Sequence, residues 1–430
     1  MKKIRVGYIG LGGRGYGVLH GVLGMNDIDV VAVCDLHEDR MQKGKKLCED
    51  KYGHEIFGTL NYHEILEGDM VDCVLIPTSW NAHYKIAIDA MEAGIPAAFE
   101  VGPISSVQEA WDLVRTSERT GVHCMALENC CYGRYELAMI NMIKRGVFGE
   151  VVHVAGGYQH DLRGLADNYE GGMERSYHIK CRNGEMYPTH ELGPMMTYLG
   201  INRGNRMLSL VSMSSKARGL NDYIAKHGGR DHPMYGNQIN CGDVTTTIIK
   251  CANGETMVLT HDITLPRAYS RGGRVQGTNG IWMEDGQHIF LDGMNENHEW
   301  GDMNKYIEKY DHPLWKMFKK KDITDAHGGM DTLVLRAFFE SVRNHEAPPI
   351  DVYDSVCMSV VACLSEQSIA MGGMPVPIPD FTDGKWVQRE PSPKSPYALD
   401  AIYDDLFDPD TFTYFDCLKE LQGVEVESAI

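Results

Sequence analysis

The chain has 430 residues, of which 43% are hydrophobic and 23% charged, as in ordinary globular proteins. This length predicts two or three domains, and no apolar run approaches the roughly 18 residues that a membrane span needs. With 60 acidic against 41 basic residues the net charge is −19, which argues against nucleic acids and anionic membranes as partners. We therefore expect a soluble protein with a small-molecule partner.

The N-terminal residues lead directly into a strand pattern, without an apolar signal segment, so we expect a cytoplasmic protein. The 12 cysteines are scattered with no C-x-x-C spacing, which predicts small buried side chains rather than disulfides or a zinc site. The histidines also lack a compact ligand spacing such as H-E-x-x-H. The sequence therefore predicts no metal.

The first third of the chain alternates short apolar runs with helical periodicity. This alternation is typical of βαβ units and a parallel sheet. The runs that predict buried strands are residues 4–9, 30–34, 71–76, 97–100 and 123–128.

After a helical pattern over residues 134–145 the segments become longer and alternate in polarity, which predicts a mostly antiparallel sheet. These strand patterns cover residues 151–158, 208–214, 244–251 and 255–262, and helical patterns return at 331–344 and 355–371. The acidic tail from residue 380 is expected to wrap the outside or to meet another subunit.

The predicted fold class is thus α/β followed by α+β. We expect an N-terminal α/β domain at residues 1–130, an α+β domain built on a large, mostly antiparallel sheet at 131–380, and an acidic extension at 381–430.

The motif G-x-G-x-x-G occurs where the first predicted strand meets a predicted helix, as GLGGRG at residues 10–15. Gly10 permits the tight turn, Gly12 lets a pyrophosphate approach the backbone, and Gly15 allows close packing of helix on strand. The helix N-terminus adds free amides and a positive dipole. Arg14, within this motif, could contact a phosphate.

Asp35 ends the second predicted strand, twenty positions after Gly15. A carboxylate at this position accepts hydrogen bonds from the ribose hydroxyls of the adenosine and repels a 2′-phosphate. We therefore expect the cofactor to be NAD rather than NADP.

Two segments follow this glycine loop in the chain: PTSWNAH at residues 77–83 and EVGP at 100–103. In this order the three segments resemble the Gfo/Idh/MocA oxidoreductase superfamily, and the resemblance covers nearly the whole chain. Within that superfamily, five further segments look like glycoside hydrolase family 109, whose members are known mainly as α-N-acetylgalactosaminidases that recycle NAD. These segments are ENCCYGR at 128–134, GYQHDLR at 157–163, YPTH at 187–190, INRG at 201–204 and HGGMD at 327–331.

The resemblance implies that residues 1–130 form a Rossmann dinucleotide-binding domain and residues 131–380 a substrate and oligomerisation domain, and it assigns site residues to both. It implies NAD contacts at Arg14, Gly15, Asp35, Trp80, Asn81, His83, Glu100, Val101 and Asn129. It implies sugar contacts at Tyr158, Tyr187, Pro188, Thr189, His190 and Tyr269.

Two departures from the family patterns affect the expected chemistry. Dehydrogenases of the superfamily carry an acid/base lysine in an E-K-P motif, whereas here Val101 and an extra Gly102 stand at that position. The Tyr-His-Trp-Arg motif of the glycosidases reads Tyr-His-Ile-Lys, which makes Lys180 the expected substrate contact at that position.

The resemblance implies a redox-neutral reaction: oxidation of the C3 hydroxyl of the sugar, elimination across C1 and C2, addition of water, and re-reduction. We expect His190 to assist deprotonation of the C3 hydroxyl with Tyr187 beside it. Tyr269 or Tyr158 then serves the C2 proton or the leaving group.

Other functions are open from the sequence alone. One is a net sugar or polyol dehydrogenase, or an enzyme that forms 3-keto-glycosides and releases NADH or a ketosugar. The other is a cofactor-binding regulator without turnover, which the cluster of tyrosine and histidine argues against.

Overall fold

The computed structural model describes residues 2–168, 174–296, 298–318 and 327–407, and these contain 15 strands and 13 α-helices. The strands β1 to β15 are Ile4–Ile9, Ile28–Cys34, Phe57–Thr59, Cys73–Ile76, Ala97–Phe99, Cys124–Ala126, Val151–Gln159, Met207–Ser214, Val244–Cys251, Thr256–Asp262, Arg274–Gly277, Gly280–Met283, His288–Leu291, Gly301–Asp302 and Val376–Pro377. The helices α1 to α13 are Gly13–Leu23, Glu38–Tyr52, His63–Leu66, His83–Glu92, Val107–Thr120, Arg134–Lys144, Glu174–Cys181, Thr189–Tyr198, Gly219–His227, Asn304–Tyr310, Pro313–Met317, Met330–Asn344 and Val352–Ala370.

The first sheet is parallel and has the strand order β3-β2-β1-β4-β5-β6. Its inner strands are largely buried on both faces, as the continuous apolar runs predict, and β4 is buried at every residue, whereas the short edge strand β3 exposes Phe57. The order reverses between β1 and β4, so a crevice opens at their carboxyl ends. This arrangement confirms the predicted Rossmann domain.

The second sheet has nine strands in the order β14-β13-β12-β11-β7-β10-β9-β8-β15. Its pairs are antiparallel except β7 with β10, which run parallel and place Tyr158 opposite His261. The prediction of a mostly antiparallel sheet is therefore confirmed. The strands β11 to β14 were not predicted, because each has four residues or fewer and offers little periodicity.

Helix α13 joins the two sheets. It is buried around most of its circumference, and serines on it bind to both halves of the chain. Ser355 Oγ accepts a hydrogen bond from the backbone of Ala126 in β6 at 2.9 Å. Ser368 Oγ accepts one from Ser212 in β8, also at 2.9 Å. The chain thus returns near its end to pack between the domains.

The described part of the acidic tail lies along its own chain. Asp380 pairs with Arg206 at 3.3 Å, and Asp400 pairs with Arg203 at 3.3 Å. Residues 408–430 lie outside the described residues, so the predicted contact with another subunit stays a prediction. None of the helices in the described ranges is both long and apolar enough to cross a membrane.

Candidate active site

The glycine loop follows β1 and forms an open cradle at the start of α1. Gly10 has φ +111°, and a Cβ there would lie 2.8 Å from the carbonyl oxygen of Pro77. A Cβ on Gly15 would lie 2.3 Å from the carbonyl oxygen of Gly10. A Cβ on Gly12 would face open space, and because glycine has no side chain, this residue cannot cap the helix. The first amides of α1 are therefore left for an anion.

Asp35 is fixed at the carboxyl end of β2 beside this loop. Its Oδ2 accepts a hydrogen bond from the Leu11 amide at 2.7 Å, and its Oδ1 accepts one from the His37 amide at 2.9 Å. The carboxylate is therefore held where the sequence places the ribose of the dinucleotide. The open cradle and the fixed acid together fit NAD.

Arg14 does not present an isolated charge to the cradle. Its guanidinium donates to Glu100 at 2.9 Å and to Asp331 at 2.6 Å. Asn129 also donates to Asp331, at 2.7 Å. Burial alone would raise the pKa of Asp331, but hydrogen bonds from Arg14 and His327 hold it well below the usual value. Two predicted cofactor residues, Arg14 and Asn129, thus meet at one carboxylate that the sequence did not assign, and a third, Glu100, pairs with Arg14.

Residues after β4 and β5 form the wall between the crevice and the second domain. A Cβ on Gly102 would lie 2.5 Å from Cδ1 of Trp80, so the glycine of EVGP makes room for that indole. Val101 is buried in an apolar cluster with Tyr158 and Tyr187, at the position of the missing lysine. Two other predicted cofactor residues lie in this wall. Asn81 comes just before α4, and His83 is buried at the first position of α4.

Four predicted catalytic side chains meet in the second domain, in what we call the aromatic cluster: Tyr158, Tyr187, His190 and Tyr269. The ring centre of Tyr158 lies 4.6 Å from that of Tyr187, 5.5 Å from that of His190 and 6.3 Å from that of Tyr269. Pro188 and Thr189, on either side of the α8 start, place His190 in the first turn of that helix. The ring of Tyr187 also lies 5.7 Å from that of Trp80.

Two residues that the sequence did not single out belong to this cluster. His160 shares a 3.0 Å hydrogen bond with the hydroxyl of Tyr158, and burial with the nearby charge of Arg175 lowers the pKa of His160. The guanidinium carbon of Arg175 lies 4.5 Å from the centre of the Tyr187 ring and 5.3 Å from that of Trp80.

Lys180 is not brought into the aromatic cluster. Lys180 is exposed near the end of α7, and its backbone carbonyl accepts a hydrogen bond from the amide of Asn240. The cation over the aromatic rings comes instead from Arg175, at the other end of the same helix. Since 175 and 180 are five residues apart, the two side chains leave the helix in different directions.

His190 also contacts the first domain. Its Nδ1 lies 2.8 Å from Oε1 of Glu128, which follows β6 and is fully buried. Glu128 and Asp331 are the main carboxylates that the sequence reading missed as functional residues. Both stand inside the quoted family segments, as does His160, and this was the available signal, whereas Arg175 lies in none of these segments and follows no spacing that would select it.

These features define a class: a dinucleotide-dependent enzyme with a polar aromatic cluster beside its cofactor crevice. Residues 4–127 match the family described as oxidoreductase family, NAD-binding Rossmann fold. Residues 132–388 match the family described as glycosyl hydrolase 109, C-terminal domain. The chain belongs to the glycosyl hydrolase 109 family, and its first domain is an NAD-binding Rossmann domain.

Full-length relatives agree with this assignment. An α-N-acetylgalactosaminidase of Tannerella forsythia is 40% identical, over 90% of this chain and 88% of its own. A glycosyl hydrolase family 109 protein of Stenotrophomonas maltophilia is 41% identical, over 94% of this chain and 93% of its own. An NAD-binding oxidoreductase of Klebsiella pneumoniae shares the fold, with 16% identity, a TM-score of 0.68, and coverage of 88% of this chain and 99% of its own.

Proposed function

We propose that this protein is an NAD-dependent, redox-neutral glycoside hydrolase that acts on a small N-acetylgalactosaminide or a closely related glycoside. The contact between Trp80 on the cofactor side and Tyr187 on the sugar side carries this proposal. It brings acid/base groups to the opening of a dinucleotide crevice. The buried Val101, in place of a lysine, disfavours an ordinary dehydrogenase.

NAD would be held by the amides at the start of α1, by Asp35, and by the residues around Trp80 and Asn129. When bound, it supplies a reversible acceptor for the hydride of the sugar carbon that is oxidised. The protein supplies position and proton transfer. His190 takes the proton of the C3 hydroxyl at Nε2, because Nδ1 is engaged by Glu128.

Tyr187 stays protonated beside His190, since burial raises its pKa well above the usual value although Arg175 opposes this effect. It therefore orients the sugar as a hydrogen-bond donor. Tyr158 differs because its hydroxyl is bonded to His160, which can exchange a proton with it. We assign this pair, with Tyr269 at its side, to the C2 proton and the leaving group.

Hydrolysis of a chromogenic α-N-acetylgalactosaminide in heavy water tests this proposal. Elimination breaks the C2–H bond, so the product should carry deuterium at C2, and no NADH should accumulate at 340 nm. Thioglycosides should also be cleaved. Cleavage without deuterium at C2, by protein stripped of NAD, would show direct displacement at C1 instead, and steady growth of the 340 nm absorbance would indicate a net dehydrogenase.

We also propose that the protein is a homo-oligomer assembled through the outer face of the nine-stranded sheet. This face exposes Met213 and Ile248, with 62% and 50% of their surface accessible. Light scattering at micromolar concentration should find an oligomer that Ile248→Lys weakens, and a strictly monomeric wild type would contradict this.

The 11 cysteines in the described ranges are all unpaired, which supports a reducing, cytoplasmic location.

A further inference from the structure

The contact between Glu128 and His190 joins the two domains at the reacting end of the site. Glu128 follows the last strand of the first sheet, whereas His190 stands on α8 of the second domain, 62 positions later. The side chain of Glu128 is 0% exposed and that of His190 is 13% exposed, so the pair is shielded while the ring keeps one accessible side.

Two further contacts fix the carboxylate. Oε1 of Glu128 accepts a hydrogen bond from the amide of Cys130 at 3.0 Å. A Cβ on Gly193, one turn along α8 from His190, would lie 2.9 Å from Cγ of Glu128. The glycine therefore lets α8 approach closely enough for the imidazole to reach the acid.

The protonation of the pair follows from its surroundings. Burial alone would raise the pKa of Glu128, but the charge and hydrogen bond of His190 hold it below the usual value. An ionised carboxylate can only accept hydrogen bonds, so Nδ1 of His190 must donate. In the neutral ring, the other nitrogen, Nε2, is then free of a proton and can act as a base.

A metal ion is the competing explanation for this cluster. Ligand atoms of Glu128, Cys130 and His190 lie within 4.8 Å of one another. Burial, however, raises the pKa of the Cys130 thiol well above its usual value, and the thiol donates to Oδ1 of Asn129. Because the thiol is engaged by Asn129, while the carboxylate of Glu128 is engaged by His190 and the Cys130 amide, these contacts favour a carboxylate–imidazole dyad.

We propose that Glu128 is the positioning residue of His190: it fixes the tautomer with the proton on Nδ1, aims Nε2 at the sugar, and stabilises the imidazolium that forms when the C3 hydroxyl is deprotonated. The kinetic part of this inference rests on the proposed function. The tautomer does not, because it is a property of the protein without substrate.

The first experiment is nitrogen NMR of the NAD-loaded protein with labelled histidine, in which the signals of His190 are assigned by their loss in His190→Gln. The wild type should show a protonated Nδ1 and a bare Nε2 at neutral pH. Glu128→Gln, which keeps the size of the side chain, should mix the tautomers. A wild type with the proton on Nε2, or an unchanged spectrum in Glu128→Gln, would overturn the proposal even if no glycoside is hydrolysed.

The second experiment measures kcat, KM and the pH–rate profile. We expect Glu128→Gln to lower kcat by roughly 10²–10⁴-fold with little change in KM, and to displace the acidic limb of the profile. Glu128→Asp, which keeps the charge, should recover part of kcat. Equal losses in both variants, or a loss in KM alone, would indicate a merely structural carboxylate.

Cys130→Ser is the matched control, because it removes the third ligand of the metal explanation but leaves the dyad. It should retain wild-type kcat, and dialysis against a chelator should have no effect. Loss of activity both in Cys130→Ser and after dialysis against a chelator, with stoichiometric metal in the wild-type protein, would show a metal centre instead of the dyad.

Discussion

The cofactor crevice and the aromatic cluster face the same opening, but they are built differently. The crevice takes its central elements from one short stretch, residues 10–35, and offers mainly backbone amides and one fixed carboxylate. The cluster is assembled from side chains that lie far apart in sequence: Tyr158, Arg175, Tyr187, His190 and Tyr269. Recognition of the cofactor therefore depends on local geometry, whereas recognition of the sugar depends on the packing of the whole second domain.

His190→Ala should separate the two regions most strongly. We expect turnover of the glycoside to fall by roughly 10²–10⁴-fold, as for loss of a general base, because no other group in the described site holds that position. Binding of NAD, measured by calorimetry, should be retained. A parallel loss of NAD affinity would mean that the crevice and the cluster are not independent.

Asp35→Ala is the reverse test. The loss of its hydrogen bonds to the ribose should weaken NAD by about 30-fold, equivalent to about 2 kcal/mol. The wild type should also bind NADP much more weakly than NAD. With NAD at saturation, kcat should be close to that of the wild type, and equal affinities of the wild type for both cofactors would contradict the assignment of Asp35.

Arg175→Ala and Lys180→Ala compare the two cations of α7. The guanidinium of Arg175 lies over the rings of Tyr187 and Trp80, so its removal should raise KM by about 10-fold, with kcat less affected. Lys180→Ala should change KM by less than about 2-fold because the residue is exposed. The opposite ranking would restore Lys180 to the position that the family motif gave it.

Of these four tests, Asp331→Asn should have the smallest effect, and this effect is on the stability of the fold. Because the pKa of Asp331 is lower in the folded protein than in the unfolded chain, its ion pair with Arg14 stabilises the fold at neutral pH. This contribution is lost as the pH falls below about 4. The variant should therefore have a lower Tm than the wild type at pH 7, and its Tm should decrease less toward acidic pH. Both quantities are measured by calorimetry. Glu100→Gln, which alters the other carboxylate paired with Arg14, serves as the comparison.

The sequence predicted the first domain almost completely, and the second only in part. Gly10 and Asp35 could be placed because strand, turn and helix in a βαβ unit fix their positions locally. The predicted strands of the second sheet were found, and the family motifs selected Tyr187 and His190. The partner of His190 could not be derived, because Glu128 reaches it only when α8 packs against the end of β6. Arg175 was missed for the same reason, since no local rule brings α7 over the rings.

Helix α13 has a consequence for how the chain is made. The edge strand β6 obtains its contact with Ser355 from a residue 229 positions later in the chain. At roughly 5–20 residues per second, a ribosome needs about 10–50 s to synthesise the intervening segment.

During this interval the nascent Rossmann domain has an open sheet edge beside the exit tunnel, with no helix to cover it. We therefore expect the N-terminal domain expressed alone to be prone to aggregation, and the full chain to complete its folding only after release of α13.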